Sequence, residues 1–265
     1  MERTEANKVL RNFALRDFAA LALLICLATL FPPGLLRAQT REEQILFDDA
    51  NRERTQRGLS PLKWDAQLAA AARQHASLMA QQNTLSHQLP GEPEPTARAR
   101  AAGARFSALA ENVADGPSTG EIHEGWMKSP PHRKNLLDPQ LNSVGIAVVD
   151  RDRQLFAVQD FSRAVVSLSV EEQESHVRAA LKARGLAVSS DNADARRACQ
   201  LGLGHEASHR PTYMLRYTST DLTKLPDAIE KPLRSGRYHA AEVGACLPAQ
   251  ASDFAEYQIA VLLYE

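Results

Sequence analysis

Two histidines and one glutamate stand out between positions 86 and 161. His87 follows Ser86 in a polar stretch. Glu111 sits in Ala110-Glu111-Asn112-Val113-Ala114, and His132 falls between Pro130-Pro131 and Arg133. Two imidazoles and a carboxylate are the raw material of a divalent-metal site or of an acid/base pair. Each alone has a plain structural reading. A loop histidine is usually solvated, and a glutamate can cap nearby backbone amides. Glu111 differs in its apolar flanks, because partial burial raises a carboxylate's pKa and favours a proton-accepting role unless a cation lies close. Rival chemistries are not represented. There is no G-x-S-x-G turn, no H-E-x-x-H, no phosphate-binding loop, and no G-x-G-x-x-G after a strand. Ser86 and Ser129 lie near the histidines, but the sequence identifies no carboxylate to orient a serine–histidine pair. His123, His176, His205, His209 and His239 show no ligand spacing.

Helices and a hairpin must position these residues. Glu42 to Arg57 carries one apolar stripe through Ile45, Leu46 and Ala50, with Gly58 placed to end it. Leu59 to Trp64 reads as a connector. Asp65 caps a helix to about Gln82, with Leu68, Ala71, Ala72, His75 and Met79 on one face. On that face His75 reads as a satisfied core histidine. Pro90 to Pro95 is a loop, and Thr96 to Gly103 a short Ala/Arg helix. Glu121 to Ser129 is a short helix halted by Pro130-Pro131, with Trp126 as core. Arg133 and Asn135 then read as residues that hold the following loop by hydrogen bonds. Ser143–Val149 and Leu155–Phe161 alternate across polar Asp150-Arg151-Asp152-Arg153, as a β-hairpin does. Beyond Ala164, Val165–Ser169 reads as a strand and Glu171–Arg184 as a helix closed by Gly185. Tyr213–Tyr217 and Glu256–Tyr264 read as two further strands. The class is α+β.

The N-terminus reads as a leader. Arg3, Lys8, Arg11 and Arg16 precede the uncharged run Phe18–Phe31, Pro32-Pro33-Gly34 ends it, and Ala38 is the expected last residue before cleavage. The alternative for residues 1–38 is an uncleaved membrane anchor, for which a run to Leu36 comes close to the ~20 residues a bilayer needs. In either case most of the chain is expected outside the cytoplasm, secreted, extracellular or periplasmic. The whole chain has 31 Lys and Arg against 32 Asp and Glu. Residues 1–38 hold five of the former and three of the latter, so the remainder is mildly acidic. No basic field argues for nucleic acid or an anionic membrane. Cys26 lies in the leader, where bulky Ile25 argues against a lipid anchor. Cys199 and Cys246 remain, an even pair that reads as a disulfide in an oxidising compartment, the alternative being two unpaired thiols.

The motifs together resemble a family. Ser86-His87, Ala110-Glu111-Asn112, Trp126-Met127-Lys128-Ser129-Pro130-Pro131-His132-Arg133-Lys134-Asn135-Leu136-Leu137, Val144-Gly145-Ile146 and Gln159-Asp160-Phe161 follow one another in order. So ordered, they resemble the bacterial branch of the CAP superfamily (cysteine-rich secretory, antigen 5 and pathogenesis-related-1 proteins, or SCP-like extracellular proteins). Asn51-Arg52-Glu53-Arg54 and Leu62-x-Trp64-Asp65-x-x-Leu68 extend the resemblance over about residues 42–163. The resemblance implies an α-β-α sandwich at 42–163, followed by a smaller, unrecognised α+β domain at 164–265 that carries the disulfide. It implies that His87, Glu111 and His132 line one cleft, and that this cleft holds zinc or another divalent cation, or a small or lipid ligand. The family has no agreed reaction. Two readings follow: a secreted binding module for an unknown extracellular ligand or protein, or a metal-assisted hydrolase of peptide or cell-wall material. A third reading, a structural envelope protein, gives the cleft no ligand. One departure stands out. Many eukaryotic members carry a second glutamate a turn after the tryptophan, where this chain has Ser129; Glu121 and Glu124 lie just upstream.

Overall fold

The first helix begins where a side chain satisfies its free amides. Thr40 Oγ1 accepts from Glu43 N, and Glu43 returns the bond to Thr40 N, a capping box that starts α1 (Arg41–Thr55). Asp65 accepts from Gln67 N and Leu68 N and starts α2 (Ala66–Gln82) as expected. The computed structural model describes residues 38–202, 210–247 and 254–265. All but the last residue of the expected leader lies outside these. Among the described residues no helix is long and apolar enough to cross a membrane.

The connector before α2 ends in a two-residue strand, β1 (Lys63–Trp64). Asn51 of α1 fixes it, accepting from Leu62 N at 2.7 Å and donating to Leu62 O at 3.2 Å. After α3 (Pro95–Ala101) comes β2 (Phe106–Gly116), a strand that small alanines and mixed polarity concealed in the sequence. α4 (Thr119–Lys128) follows. The proline pair then begins a helix rather than a loop. Ser129 is extended, and Pro130 takes the first turn of α5 (Pro130–Leu136), where its missing N–H costs nothing. The hairpin of β3 (Ser143–Arg151) and β4 (Gln154–Ala164) turns through Asp152 and Arg153, both at positive φ (54° and 69°).

The four strands order as β1-β3-β4-β2, so β2 is an edge. One face packs Val113, Ala147, Phe156 and Val158 against α2. The other packs Ile146, Ala157 and Phe161 against Leu46, Trp126 and Leu136 from α1, α4 and α5. This is the expected α-β-α sandwich. Buried Arg54 ties its far end. Its guanidinium donates to Ser60 O, Leu136 O, Asp138 O and Leu141 O at 2.9–3.0 Å, fixing the end of α5.

From Val165 the expected strand is not formed. Val165 N donates to Arg105 O, and the chain runs to Ser169, which caps α6 (Val170–Lys182) through a second capping box with Glu172. The segment is spent as connector and cap. Next come β5 (Ala187–Val188), α7 (Ala193–Leu201), β6 (Tyr213–Ser219), α8 (Asp227–Leu233), β7 (Ala240–Cys246) and β8 (Tyr257–Tyr264). Their sheet orders as β5-β7-β8-β6, with β5 parallel to β7 and the other pairs antiparallel. That is the order and direction of the first sheet. The registers correspond as well. Gly145–Asp160–Glu111 cross the first sheet, and Gly244–Ala260–Arg216 cross the second. The second sheet has its own core around Val177, Leu181, Ile229 and Val261. The disulfide Cys199–Cys246 is present, S–S 2.05 Å, joining α7 to β7. Closing a loop with separation 47 contributes about 4 kcal/mol in the chain-entropy account.

Both glycines sit where a helix backbone crosses the sheet. A Cβ on Gly145 would lie 2.0 Å from Ala69 N, and one on Gly244 2.2 Å from Ala195 C. Backbone cannot yield as a side-chain tip can. Gly145→Ala is therefore expected to cost at least about 2 kcal/mol by overpacking, read as a lowered midpoint in urea unfolding; an unchanged midpoint would refute this contact.

Candidate functional site

Glu111 lies on the edge strand, paired to Asp160 on β4, on the face that α2 covers. It is only 8% exposed. A buried carboxylate needs partners on both oxygens. Oε2 accepts from Nη2 of Arg98 on α3, itself 4% exposed, and Oε1 accepts from His87 Nδ1 at 2.8 Å. Arg98 also donates to His87 O and Pro93 O, both at 3.1 Å, so one guanidinium holds the glutamate and the loop that carries His87.

A second histidine supports that loop from beneath. His75 is buried; its Nδ1 meets the Glu92 carboxylate at 2.8 Å and its Nε2 meets Ser86 O at 2.7 Å. Glu92 accepts from Leu89 N at 3.1 Å. His75 is thus the core histidine its helix face implies, and it positions the turn from which His87 projects. His132 comes from α5 on the other side of the edge strand. Asn112 Nδ2 donates to His132 O at 3.1 Å. Asn135 Nδ2 donates to Glu111 O at 3.2 Å and to Asn112 Oδ1 at 3.0 Å. Asn135 therefore does hold backbone, on a helix rather than in a loop. Trp126 is core, with Nε1 donating to Val113 O.

The structure brings His87 and Glu111 into contact and places His132 within reach of the His87 charge. The hydrogen bond to Glu111, aided by that carboxylate's charge, raises the His87 pKa against the pull of burial and Arg98. Burial first, then the His87 charge, lowers that of His132. Two imidazoles in one cleft are thus driven to opposite sides of about 6.5, the ordinary histidine value. Asp160 is a second carboxyl at the site, 1% exposed. Burial, then the charge of Glu111, which stands opposite it across β2 and β4, pushes its pKa well up.

Arg98 and Asp160 escaped the sequence reading as site residues. Arg98 stands 13 positions from Glu111, on the short Ala/Arg helix, and no spacing rule joins them. Asp160 was visible only within the Gln159-Asp160-Phe161 motif. The acids near Ser129 serve their own helix. Glu121 accepts from Ser118 Oγ, and Glu124 pairs with Lys128 at 2.5 Å. Ser86 Oγ donates to Gln88 O at 2.7 Å, so it is not aligned on His87.

The donor set does not fit a three-ligand metal centre as arranged. Both Glu111 oxygens are engaged, one by a fixed cation that would repel a metal ion. Among the described residues no group of three His, Cys, Asp or Glu is placed to hold one. What the arrangement can do is proton chemistry and hydrogen bonding. His87 Nδ1 is bonded to Glu111, which leaves Nε2 free for a further partner, and the side chain is 56% exposed. A carboxylate that orients a histidine this way also fixes its tautomer.

Two measurements test this geometry. In proton NMR titrations, His87 should show a midpoint above about 6.5 and His132 one below it. Glu111→Gln should bring the His87 midpoint down. Because the folded pKa of His87 is raised, its pairing adds stability that is full below the unfolded value and is lost as pH rises through the folded one. The melting-temperature gap between wild type and His87→Gln should therefore be larger at pH 5.5 than at pH 8.5. Separately, Asp160→Asn removes a buried carboxyl whose ionisation burial and Glu111 disfavour, and should leave the melting temperature at pH 7.5 unchanged or higher, whereas Asp160→Ala should lower it by leaving a cavity. A large loss in Asp160→Asn would mean that Asp160 is needed as an anion.

A family model for the cysteine-rich secretory protein family (CAP) matches residues 47–161. Two Bacillus subtilis (strain 168) proteins are similar over this region. "Uncharacterized protein YkwD" is 33% identical over 109 residues, covering 41% of this chain and 42% of its own length. "Uncharacterized membrane protein YlbC" is 32% identical over 116 residues, covering 42% and 33%. The chain thus spans less than half the length of either relative. Among solved structures, an extracellular protein containing a SCP domain from Bacillus anthracis (strain Ames) shares 32% identity over 46% of this chain and 40% of its own, with a TM-score of 0.43. The chain carries, at residues 47–161, a CAP domain of the bacterial, SCP-like type.

Proposed function

We propose that this protein is an exported binding module whose ligand site is the cleft of His87, Glu111 and His132. One observation carries the reading. His87 presents Nε2 to solvent from a ring held by a buried, fully compensated carboxylate. Such a donor is rigid before any ligand arrives, which reduces the ordering cost of binding. An imidazole pushed toward its charged form, near one pushed toward its neutral form, suits a small or lipid ligand that presents an oxygen: a hydroxyl, a carboxylate or a phosphate ester. The leader at 1–38, the disulfide and a similar protein described as extracellular support export.

The hydrolase reading keeps one supporting feature, the same locked His87, which is oriented to take a proton from water or a hydroxyl. Among the described residues no nucleophile is aligned beside it; Ser86 Oγ donates to Gln88 O instead. A metal-assisted version requires Glu111 to release Arg98 or His87 before zinc or another divalent ion can be held.

A thermal-shift screen with small carboxylates, phosphate esters and sugars, run beside zinc titration calorimetry, tests the proposal. A ligand should raise the wild-type melting temperature and should do so no longer in His87→Ala or His132→Ala. Turnover of a peptide or cell-wall substrate that disappears in His87→Ala would replace binding with catalysis. Stoichiometric zinc binding lost in both variants would restore the metal reading. Ligand binding that survives both substitutions would remove the cleft from consideration.

A further inference from the structure

The short helix α5 faces two ways. His132 and Asn135 serve the edge of the first sheet, and Leu136 is core. Arg133, Lys134 and Leu137 lie on the outward side, at the spacing that aligns side chains on one face. With Met127 and Lys128 at the end of α4 they line a groove of about 600 Å³, within the range of ligand-binding clefts. Its floor is aliphatic, from Met127 and Leu137. Its rim holds three cations against one acid, Asp138. Lys128 is paired with Glu124. Among the described residues Arg133 and Lys134 have no ion-pair partner, and both are exposed. Three cations so close together are notable in a chain that is otherwise mildly acidic.

We propose that this groove binds an acidic peptide segment of a partner protein, with carboxylates on Arg133 and Lys134 and an aliphatic side chain on Met127 and Leu137. Charge complementarity selects the occupant. A bilayer is a poorer fit, because the large exposed apolar side chains (Ile45, Leu85, Val166, Leu201, Leu247 and Phe254) all lie outside the groove. The site does not use His87 or Glu111, so it stands apart from the cleft reading.

Fluorescence anisotropy with a labelled eight-residue peptide of alternating Glu and Leu tests this on the purified protein in low salt. Saturable binding is expected. The double charge reversal Arg133→Glu with Lys134→Glu should weaken it at least about tenfold, while His87→Ala should leave it unchanged. A Lys/Leu peptide of equal length should not bind. The neutral pair Arg133→Gln with Lys134→Gln should lie between, and it decides the matter if the reversal fails to fold. Equal affinity in the charge variants, equal binding of both peptides, or capture of phosphatidylglycerol vesicles without peptide binding would each overturn the proposal.

Discussion

A carboxylate cannot be buried alone, and the front half of this protein is arranged around that constraint. Glu111 sits on an edge strand under a helix, where an unpaired charge would cost several kcal/mol. The short helix α3 supplies Arg98, and the loop after α2 supplies His87. Asp160 adds a second buried carboxyl from the neighbouring strand, its pKa raised by burial and by the Glu111 charge. The deeper shell then follows. Arg98 needs the loop carbonyls, the loop needs His75, and His75 needs Glu92. His87 and Arg98 each satisfy one oxygen of Glu111, so removing either leaves that oxygen without its partner.

The same constraint explains why the cleft can be both open and fixed. A solvent-facing histidine normally samples several rotamers. Here its inner nitrogen is anchored to a buried group that is itself anchored twice, so the exposed edge of the ring inherits the rigidity of the core. His132 is placed by a different route. Arg54 grips the last carbonyls of α5, and Asn112 and Asn135 tie its middle to β2. The two histidines are therefore positioned by different elements, close enough for the His87 charge to lower the His132 pKa.

Much of this was legible in the sequence. Periodicity placed α1, α2 and the β3–β4 hairpin, because each has a clean apolar face and a clear cap or turn. The ordered motifs singled out His87, Glu111 and His132, of which His87 and Glu111 are in direct contact. What stayed hidden has physical reasons. β2 is built of alanines and polar residues, since an edge strand serving a polar site has no need to alternate. Pro130-Pro131 looked like a stop because prolines both end and begin helices, and only the extended Ser129 before them tells which. Val165–Ser169 has strand-like residues, but its amides are needed elsewhere. Arg98 and Asp160 matter through pairs made across the fold, which no local pattern records.

The repeated sheet topology has a consequence for refolding. A chain that contains one strand order twice offers each hairpin two candidate edge strands, β2 and β6. Exchange between like units is a common failure in such chains. Here the corresponding register positions are opposite in chemistry: Glu111 beside Asp160 in one sheet, Arg216 beside Ala260 in the other. An exchanged β2 would carry its carboxylate under α7, away from Arg98, and an exchanged β6 would press a guanidinium into the slot built for Glu111. Divergence at these positions thus gives each edge strand an address, and the buried charges that shape the cleft also keep the two halves of the chain from trading strands.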